Sequence, residues 1–304
     1  MDTPVPGQAS LGPHVVGLRI VVRRVLRGET GPSGGPALTD LLGTCLAWTD
    51  HACVVQPESG PAVTIALADI VSGKPVPPRP SVRHRVGVRD AEAHTSALWP
   101  ALERVSLGDW EMRCDPAPSG RLLKRANSCL AVDDPGRPVS EALAAVGSFY
   151  AERARDPLVQ VEAGSDVEDA VAGAGWEQLP QGESAFLLAS LARVRRTLGS
   201  VTGSVDLAVD GPRAVARVGD GGGRRAEGRA GVDGDWIGLH GVTVDEAHRR
   251  QGMATAIVGA LLEWAAEQGA MTAWLHVETD NPGGRAFWES LGFSEHHTCR
   301  YYAP

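Results

Sequence analysis

A chain of 304 residues with 43% apolar content can bury sizeable cores in two or three domains. Its formal charge of −8 speaks against bulk attraction to nucleic acid or anionic lipid, so neither is expected as a partner. Five cysteines without a single Cys-x-x-Cys spacing argue against a disulfide framework and against a metal site, and for reduced thiols in a cytoplasmic protein.

In chain order, the stretch Met1–Pro13 is polar and Pro/Gly-rich and does not read as a signal peptide. Residues 14–73 read as all-β. Val15–Leu26, Leu38–Trp48, Ala52–Gln56 and Ala62–Val71 are separated by Gly, Pro and Asp, which suggests a small barrel. The run Lys74-Pro-Val-Pro-Pro-Arg-Pro80 opens an extended linker over 74–87, because each proline fixes φ and removes a donor. Residues 1–85 hold eight Lys/Arg against six Asp/Glu, so the acidic excess lies beyond them.

Residues 88–196 change character to an α/β layer. Ala91–Leu107 reads as a helix, Trp110–Cys114 and Leu122–Val132 as strands. Val139–Arg153 is a helix with Leu143, Val146 and Tyr150 on one stripe. Leu158–Val161 is a strand, Asp166–Ala174 a short helix and Phe186–Val194 an apolar strand. Residues 197–304 begin as a meander. Val205–Val209 turns at Asp210-Gly211, Val215–Val218 leads to a Gly221-Gly-Gly tip, and Trp236–Val244 enters the main motif.

That motif is Leu239-His-Gly-Val-Thr-Val-Asp-Glu-Ala-His-Arg-Arg-Gln-Gly-Met-Ala-Thr255, a strand, a basic turn and the start of a helix. Met253, Ile257, Leu261 and Trp264 form the buried stripe of that helix, which carries Glu263 and Glu267 and is no membrane span. Free backbone N–H groups at the helix start, a glycine at Gly252 and the neighbouring Arg249 and Arg250 suit a diphosphate. Farther on, Val277-Glu-Thr-Asp-Asn-Pro-Gly-Gly-Arg-Ala-Phe-Trp-Glu-Ser-Leu-Gly-Phe293 reads as strand, Asn-containing loop, short helix, Gly stop and strand.

These two segments, in this order, resemble the GNAT N-acetyltransferase superfamily. Arg249, Gly252 and Ala254 meet its phosphate motif, Val242 and Val244 the preceding strand, and Asn281, Gly292 and Phe293 the downstream segment. The resemblance implies acetyl-CoA as co-substrate, with Arg249, Arg250, Gln251, Gly252, Met253, Ala254 and Thr255 at its diphosphate. It implies Val242, Thr243 and Val244 along its pantetheine, and Asn281 beside that arm. Trp288 stands where the family usually has a general-acid Tyr, and an indole cannot protonate a thiolate. Tyr301 or Tyr302 on the last strand is therefore the expected acid, with water as the alternative. His240 is the expected base; the Leu239-His240 run is similar to that of serotonin N-acetyltransferase, where a His there serves as base. Asp235 and Glu246 compete for that role.

Trp110–Arg113, Arg125-Ala-Asn-Ser128 and the Pro135-Gly136 helix start resemble the module that precedes the GNAT motif in tandem actinobacterial acetyltransferases. Residues 88–196 are thus expected to be a degenerate GNAT half, with Asp133-Asp134 repelling a diphosphate and with Arg113, Arg125 or Asn127 as candidates to line the acceptor cleft. Thr39–Gly43, Ala68–Val71 and the Lys74-Pro-Val-Pro-Pro ending resemble an SH3-like barrel. The expected fold is therefore α+β: an SH3-like barrel (14–73), a linker (74–87), a degenerate module (88–196) and a catalytic GNAT domain (197–304). The expected activity is direct acetyl transfer to a primary amine of a small molecule or amino acid. A protein lysine or N-terminus as acceptor, and a non-catalytic acetyl-CoA-binding module, are the alternatives, and a homodimer is left open.

Overall fold

The computed structural model describes residues 11–31, 34–57, 59–76, 82–118, 122–199, 204–220 and 223–304. Residues 77–81 of the expected linker, most of the polar N-terminus and Gly221-Gly222 of the expected tip lie outside them. The chain divides into two compact units, Met1–Pro80 and Ser81–Pro304.

The first unit is one five-stranded sheet. Its strands are β1 (Arg19–Thr30), β2 (Pro36–Trp48), β3 (Ala52–Pro57), β4 (Val63–Ala66) and β5 (Ile70–Pro75). They run in the order β4-β3-β2-β1-β5, every pair antiparallel. Alternation along β1 and β3 turns Ile20, Val22, Cys53 and Val55 into a core with Val15, Cys45 and Ile65. The strands do not close into a barrel among the described residues, since β4 and β5 remain the two edges. The expected single run Ala62–Val71 is in fact β4, a 3₁₀ turn at Leu67–Asp69 and the start of β5.

The second unit is built on one twelve-stranded sheet. Its first part holds α1 (Val88–Ala93), β6 (Glu103–Leu107), β7 (Trp110–Cys114), β8 (Cys129–Ala131), α2 (Val139–Ala151), β9 (Val159–Glu162), α3 (Asp166–Gly173) and β10 (Glu177–Gln178). Then come β11 (Ser184–Ser190), α4 (Leu191–Leu198), β12 (Asp206–Asp210), β13 (Arg213–Asp220), β14 (Gly223–Asp233), β15 (Trp236–Val244), α5 (Met253–Glu267), β16 (Thr272–Glu278), α6 (Pro282–Ser290) and β17 (Ser294–Ala303). The order is β12-β13-β14-β15-β16-β11-β17-β9-β8-β7-β6, with β10 paired to β17.

Two stretches of this sheet repeat one plan. An antiparallel meander, β6 to β8, ends in a parallel β8–β9 pair with α2 between them. A second meander, β12 to β15, ends in a parallel β15–β16 pair with α5 between them. The stripes expected on both helices are buried, Leu143, Val146 and Tyr150 on α2 and Ile257, Leu261 and Trp264 on α5, except that Met253 at the start of α5 is only partly buried. Each helix covers its own core, and Phe186, Trp236 and Trp274 form a smaller one with Ala91 and Leu98.

Three expected elements differ. The long helix over Ala91–Leu107 stops early; α1 and a 3₁₀ turn at His94–Ala97 precede Pro100, which cannot donate to a helix, and β6 follows. The strand over Leu122–Val132 shrinks to β8, because Lys124–Asn127 is a 3₁₀ turn. The apolar strand Phe186–Val194 ends at Ser190, where Leu191, Val194 and Leu198 take helical spacing and α4 begins.

Candidate active site

The site grows out of a fault in the sheet. β15 and β16 pair only from Trp236–Thr272 to Leu239–Leu275, although both strands run on. The reason is local. Against β14, the register of β15 shifts so that Glu227–Arg229 faces His240–Thr243, a bulge with one extra residue on β15. Gly241 sits in that bulge with φ +60°, a left-handed conformation that glycine adopts without a Cβ penalty. The bulge swings the end of β15 away while β16 stays paired with β11 along its whole length. The β16-facing backbone edge from Gly241 to Val244 is thereby left without a strand partner.

A cavity of about 530 Å³ fills the wedge. His240, Val242 and Thr243 border it on one side, and Trp274, His276 and Glu278 on the other. Asn281 and Trp288 line it too, as do Lys124, Arg125, Ser184 and Tyr301, with Lys124 Nζ 5.7 Å over the Tyr301 ring. Asn281 is also the N-cap of α6, its Oδ1 accepting the Gly284 N–H at 2.9 Å. A Cβ at Gly284 would collide with that Asn281 side chain, which explains glycine there.

Beyond Val244, a 3₁₀ turn at Glu246–His248 leads through Arg249 and Arg250 to Gly252, the left-handed N-cap of α5 (φ +78°). Arg250 is itself left-handed (φ +62°). Gly252 has no side chain to cap the helix, and the first backbone bond of the turn is Ala256 N–H to Gly252 O. The amides of Met253, Ala254 and Thr255 therefore open the helix without intrahelical acceptors. Arg249, Arg250 and Gln251 are exposed around them, and the space where a Gly252 Cβ would stand is open. The cavity is bordered by β15 as far as Thr243, and none of Val244 or Arg249–Thr255 borders it; the basic turn follows that strand in the chain.

The other candidates separate cleanly. Tyr301 and Tyr302 point to opposite faces of β17, as neighbours in a strand must. Tyr301 borders the cavity, and burial pushes its phenol up to about 12. Tyr302 belongs to the core under α2 and its hydroxyl donates to Glu168 at 2.9 Å, away from the cavity; of the two tyrosines expected as the acid, only Tyr301 borders it. Trp288 lines the cavity wall and packs edge-on against Phe287 and Phe293. Of Arg113, Arg125 and Asn127, only Arg125 borders the cavity, with Nη2 on Ser184 Oγ at 2.9 Å. Arg113 is buried against Ser128 and Gln160, and Asn127 holds the Asp115 N–H and the Leu123 carbonyl. Glu246 is exposed on the turn.

His240 borders the cavity beside the Trp99 ring, 5.3 Å away between centroids. Burial, with Arg229 and Arg125 nearby, lowers it to about 4, so the ring is neutral at neutral pH. Sequence reading missed its counterpart His276, which hydrogen-bonds the fully buried Glu92 of α1 at 2.7 Å. It also missed Lys124, whose ammonium donates to Gln181 O. Glu92, His297 and Cys299 bring three metal-capable donor atoms within 4.8 Å of one another, a grouping invisible to Cys-x-x-Cys spacing.

A family model described as "Probable histone acetyltransferase Rv0428c C-terminal" matches residues 166–302. In fold, a GCN5-related N-acetyltransferase from Kribbella flavida superposes with a TM-score of 0.56 at 14% identity, over 74% of this chain and 96% of that one. A Mycobacterium tuberculosis protein named probable histone acetyltransferase Rv0428c is 30% identical over 307 residues, which cover 94% of each chain. The chain belongs to the GNAT N-acetyltransferase family. An Escherichia coli GNAT relative, [ribosomal protein bS18]-alanine N-acetyltransferase, is 36% identical over 66 residues, 22% of this chain and 45% of that protein. GNAT acetyltransferases use acetyl-CoA, and this GNAT chain is accordingly an acetyltransferase. Among the described residues, no helix is long and apolar enough to cross a membrane.

Proposed function

We propose that the second unit transfers acetyl from acetyl-CoA to a primary amine of a small molecule by direct attack. The observation that carries this reading is the wedge: an unpartnered strand edge joins a cavity at one end to a basic, uncapped helix start at the other. When bound, the donor supplies a thioester, an acyl group activated toward amines. Val242, Thr243 and Val244 offer their backbone to the pantetheine amides as to an added strand. One of those N–H groups would donate to the thioester oxygen, an oxyanion-hole role. Arg249, Arg250 and the amides from Gln251 to Thr255 take the diphosphate, and Asn281 stands beside the arm.

Tyr301 is the acid of this reading. Its phenol stays protonated through the neutral range and borders the cavity, which Tyr302 does not. No enzyme nucleophile is required. Cys299 is fully buried and burial pushes its thiol well up, the opposite of an activated nucleophile. A small acceptor fits the enclosing aromatic walls, Trp99, Trp274 and Trp288. The first unit is read as an SH3-like packing module and residues 88–196 as a degenerate GNAT half without a cofactor site.

A protein amine is the second reading, favoured by the names of the mycobacterial and E. coli relatives. The test is CoA-thiol release and mass spectrometry with phenethylamine, spermidine, free lysine, and peptides bearing an N-terminal alanine or an internal lysine. Acetylated small amines are expected. Acetylation of peptides alone would replace the first reading with the second. Tight CoA binding without turnover on any acceptor would leave a binding module.

A further inference from the structure

Resting on that reading, we infer that His276, oriented by the buried carboxylate of Glu92, is the base that deprotonates the acceptor ammonium, in the place expected for His240. Both histidines border the cavity, from opposite strands of the wedge. They differ in what stands behind them. His240 has an aromatic neighbour, Trp99, whereas His276 directs Nε2 to Glu92 Oε1 at 2.7 Å. A third group behind an imidazole fixes its tautomer and orientation, the positioning that a base requires. Donation of Nε2–H to Glu92 leaves Nδ1 with a lone pair as the nitrogen for the acceptor.

The groups facing this pair come from five elements. Glu92 Oε1 also receives Gln160 Nε2 from β9 at 3.2 Å and the Cys299 thiol from β17 at 3.5 Å. His297 Nε2 of β17 lies 3.2 Å from the same oxygen, and His296 Nδ1 lies 2.7 Å from His297 Nδ1. Gln160 in turn accepts from the buried Arg113 of β7 at 2.7 Å, which ties the carboxylate to a cation through one amide. Arg125 of the Lys124–Asn127 turn and His240 of β15 border the cavity side, as does Tyr301. The donors crowd onto the carboxylate oxygen itself, so the group reads as a hub that holds a negative charge, not as a cage around a cation. Among the described residues, the other oxygen, Oε2, is buried without a partner. Phe186 stacks between Trp274 and His297 and meets His276 edge-on, so an aromatic ring walls one side of the hub.

The protonation states follow. Burial pushes Glu92 up, but its interactions with His276 and His297, hydrogen bonds among them, outweigh it and hold the carboxyl well below its usual range. Burial and Arg125 outweigh the pull of Glu92 on His276 and lower it to about 4. At neutral pH the pair is thus anionic carboxylate and neutral imidazole. In the step itself, one N–H bond of the acceptor ammonium breaks, its electron pair stays on the amine nitrogen, and the proton moves to His276 Nδ1. Solvent takes that proton after the product leaves.

Two measurements on the full chain decide the matter. Long-range ¹⁵N correlation spectra at pH 7, assigned through His276→Gln, should show His276 neutral with the proton on Nε2. A charged ring, or a proton on Nδ1, overturns the assignment without reference to any acceptor. The second is kcat/KM against pH from 6 to 9 with the best amine of the panel above. A working base makes the wild-type profile flat, because the ammonium form is used. His276→Gln, which keeps a polar group within reach of Glu92, should rise about tenfold per pH unit, since only free amine then reacts. His240→Gln should stay flat. A wild-type slope of one, or a His276→Gln loss that is constant across pH, removes His276 from the role. Failure of the acetyl-transfer reading looks different: no amine or peptide releases CoA thiol, while the nitrogen spectrum still reports on the pair.

Discussion

The two repeats of the second unit share a plan and differ at one corner. In both, a meander ends in a strand that runs into a helix and pairs in parallel with the strand after it. Both corners contain a left-handed non-glycine residue followed by a left-handed glycine, Asp133 and Gly136 before α2, Arg250 and Gly252 before α5. The side chains then part company. The hollow of about 410 Å³ at the first corner is bordered by Asp133, Asp134, Glu162 and Asp166. The second corner exposes Arg249 and Arg250. The corners share a topology, though not the same spacing or helix cap, and carry opposite charge, so the proposed anion site rests on the residues set on the topology and not on the topology alone.

The sharpest way to break that comparison is to reverse the sign at one corner. Gly252→Asp should weaken CoA binding by at least ~100-fold, since facing like charges costs several kcal/mol. Asp134→Lys at the other corner should leave affinity within about twofold and stoichiometry at one. Titration calorimetry reads both, and an unchanged Gly252→Asp affinity would mean the wrong corner has been chosen. The paired tyrosines come next. Tyr301→Phe should lower kcat by about 100-fold if it is the acid. Tyr302→Phe should leave kcat alone and cost ~1–3 kcal/mol of stability in urea, because Glu168 loses a buried donor. Equal kcat values for the two variants would end the distinction.

A third effect is acid sensitivity. His240 and His276 are lowered to about 4 in the fold, against about 6.5 when unfolded. Between those values the unfolded chain binds more protons. The stability they confer is therefore complete above about pH 6.5 and is lost as pH falls toward 4. Melting midpoints from pH 7 to 4 should fall more steeply in the wild type than in the His240→Gln/His276→Gln double variant; parallel curves would contradict the depressed values. The smallest effect is Asn281→Ala, about 1 kcal/mol for a lost helix cap, read as a shift in the urea midpoint.

Legibility in the sequence followed the distance over which residues act. Trp236–Val244, Gly252 and the stripe of α5 were readable because a strand, a turn and a helix start are local patterns. Asp133-Asp134 was readable for the same reason. Glu92 and His276 were not, since 184 residues separate them and only the sheet brings β16 over α1. Tyr301 and Tyr302 could not be told apart by type, because the face each takes depends on the register of β17 against β9. The Gly241 bulge was hidden as well; a lone glycine in a strand signals some irregularity but not its direction.

That glycine has a kinetic consequence. Because the backbone at Gly241 already holds the strands apart, no hydrogen bonds between β15 and β16 have to be broken to admit an elongated guest. If the wedge is the cofactor slot proposed above, the competent form is the resting form, and affinity should not be discounted by a rare open population. Entry should then be limited by encounter, steered by Arg249 and Arg250, and the strands should keep their positions whether the slot is filled or vacant.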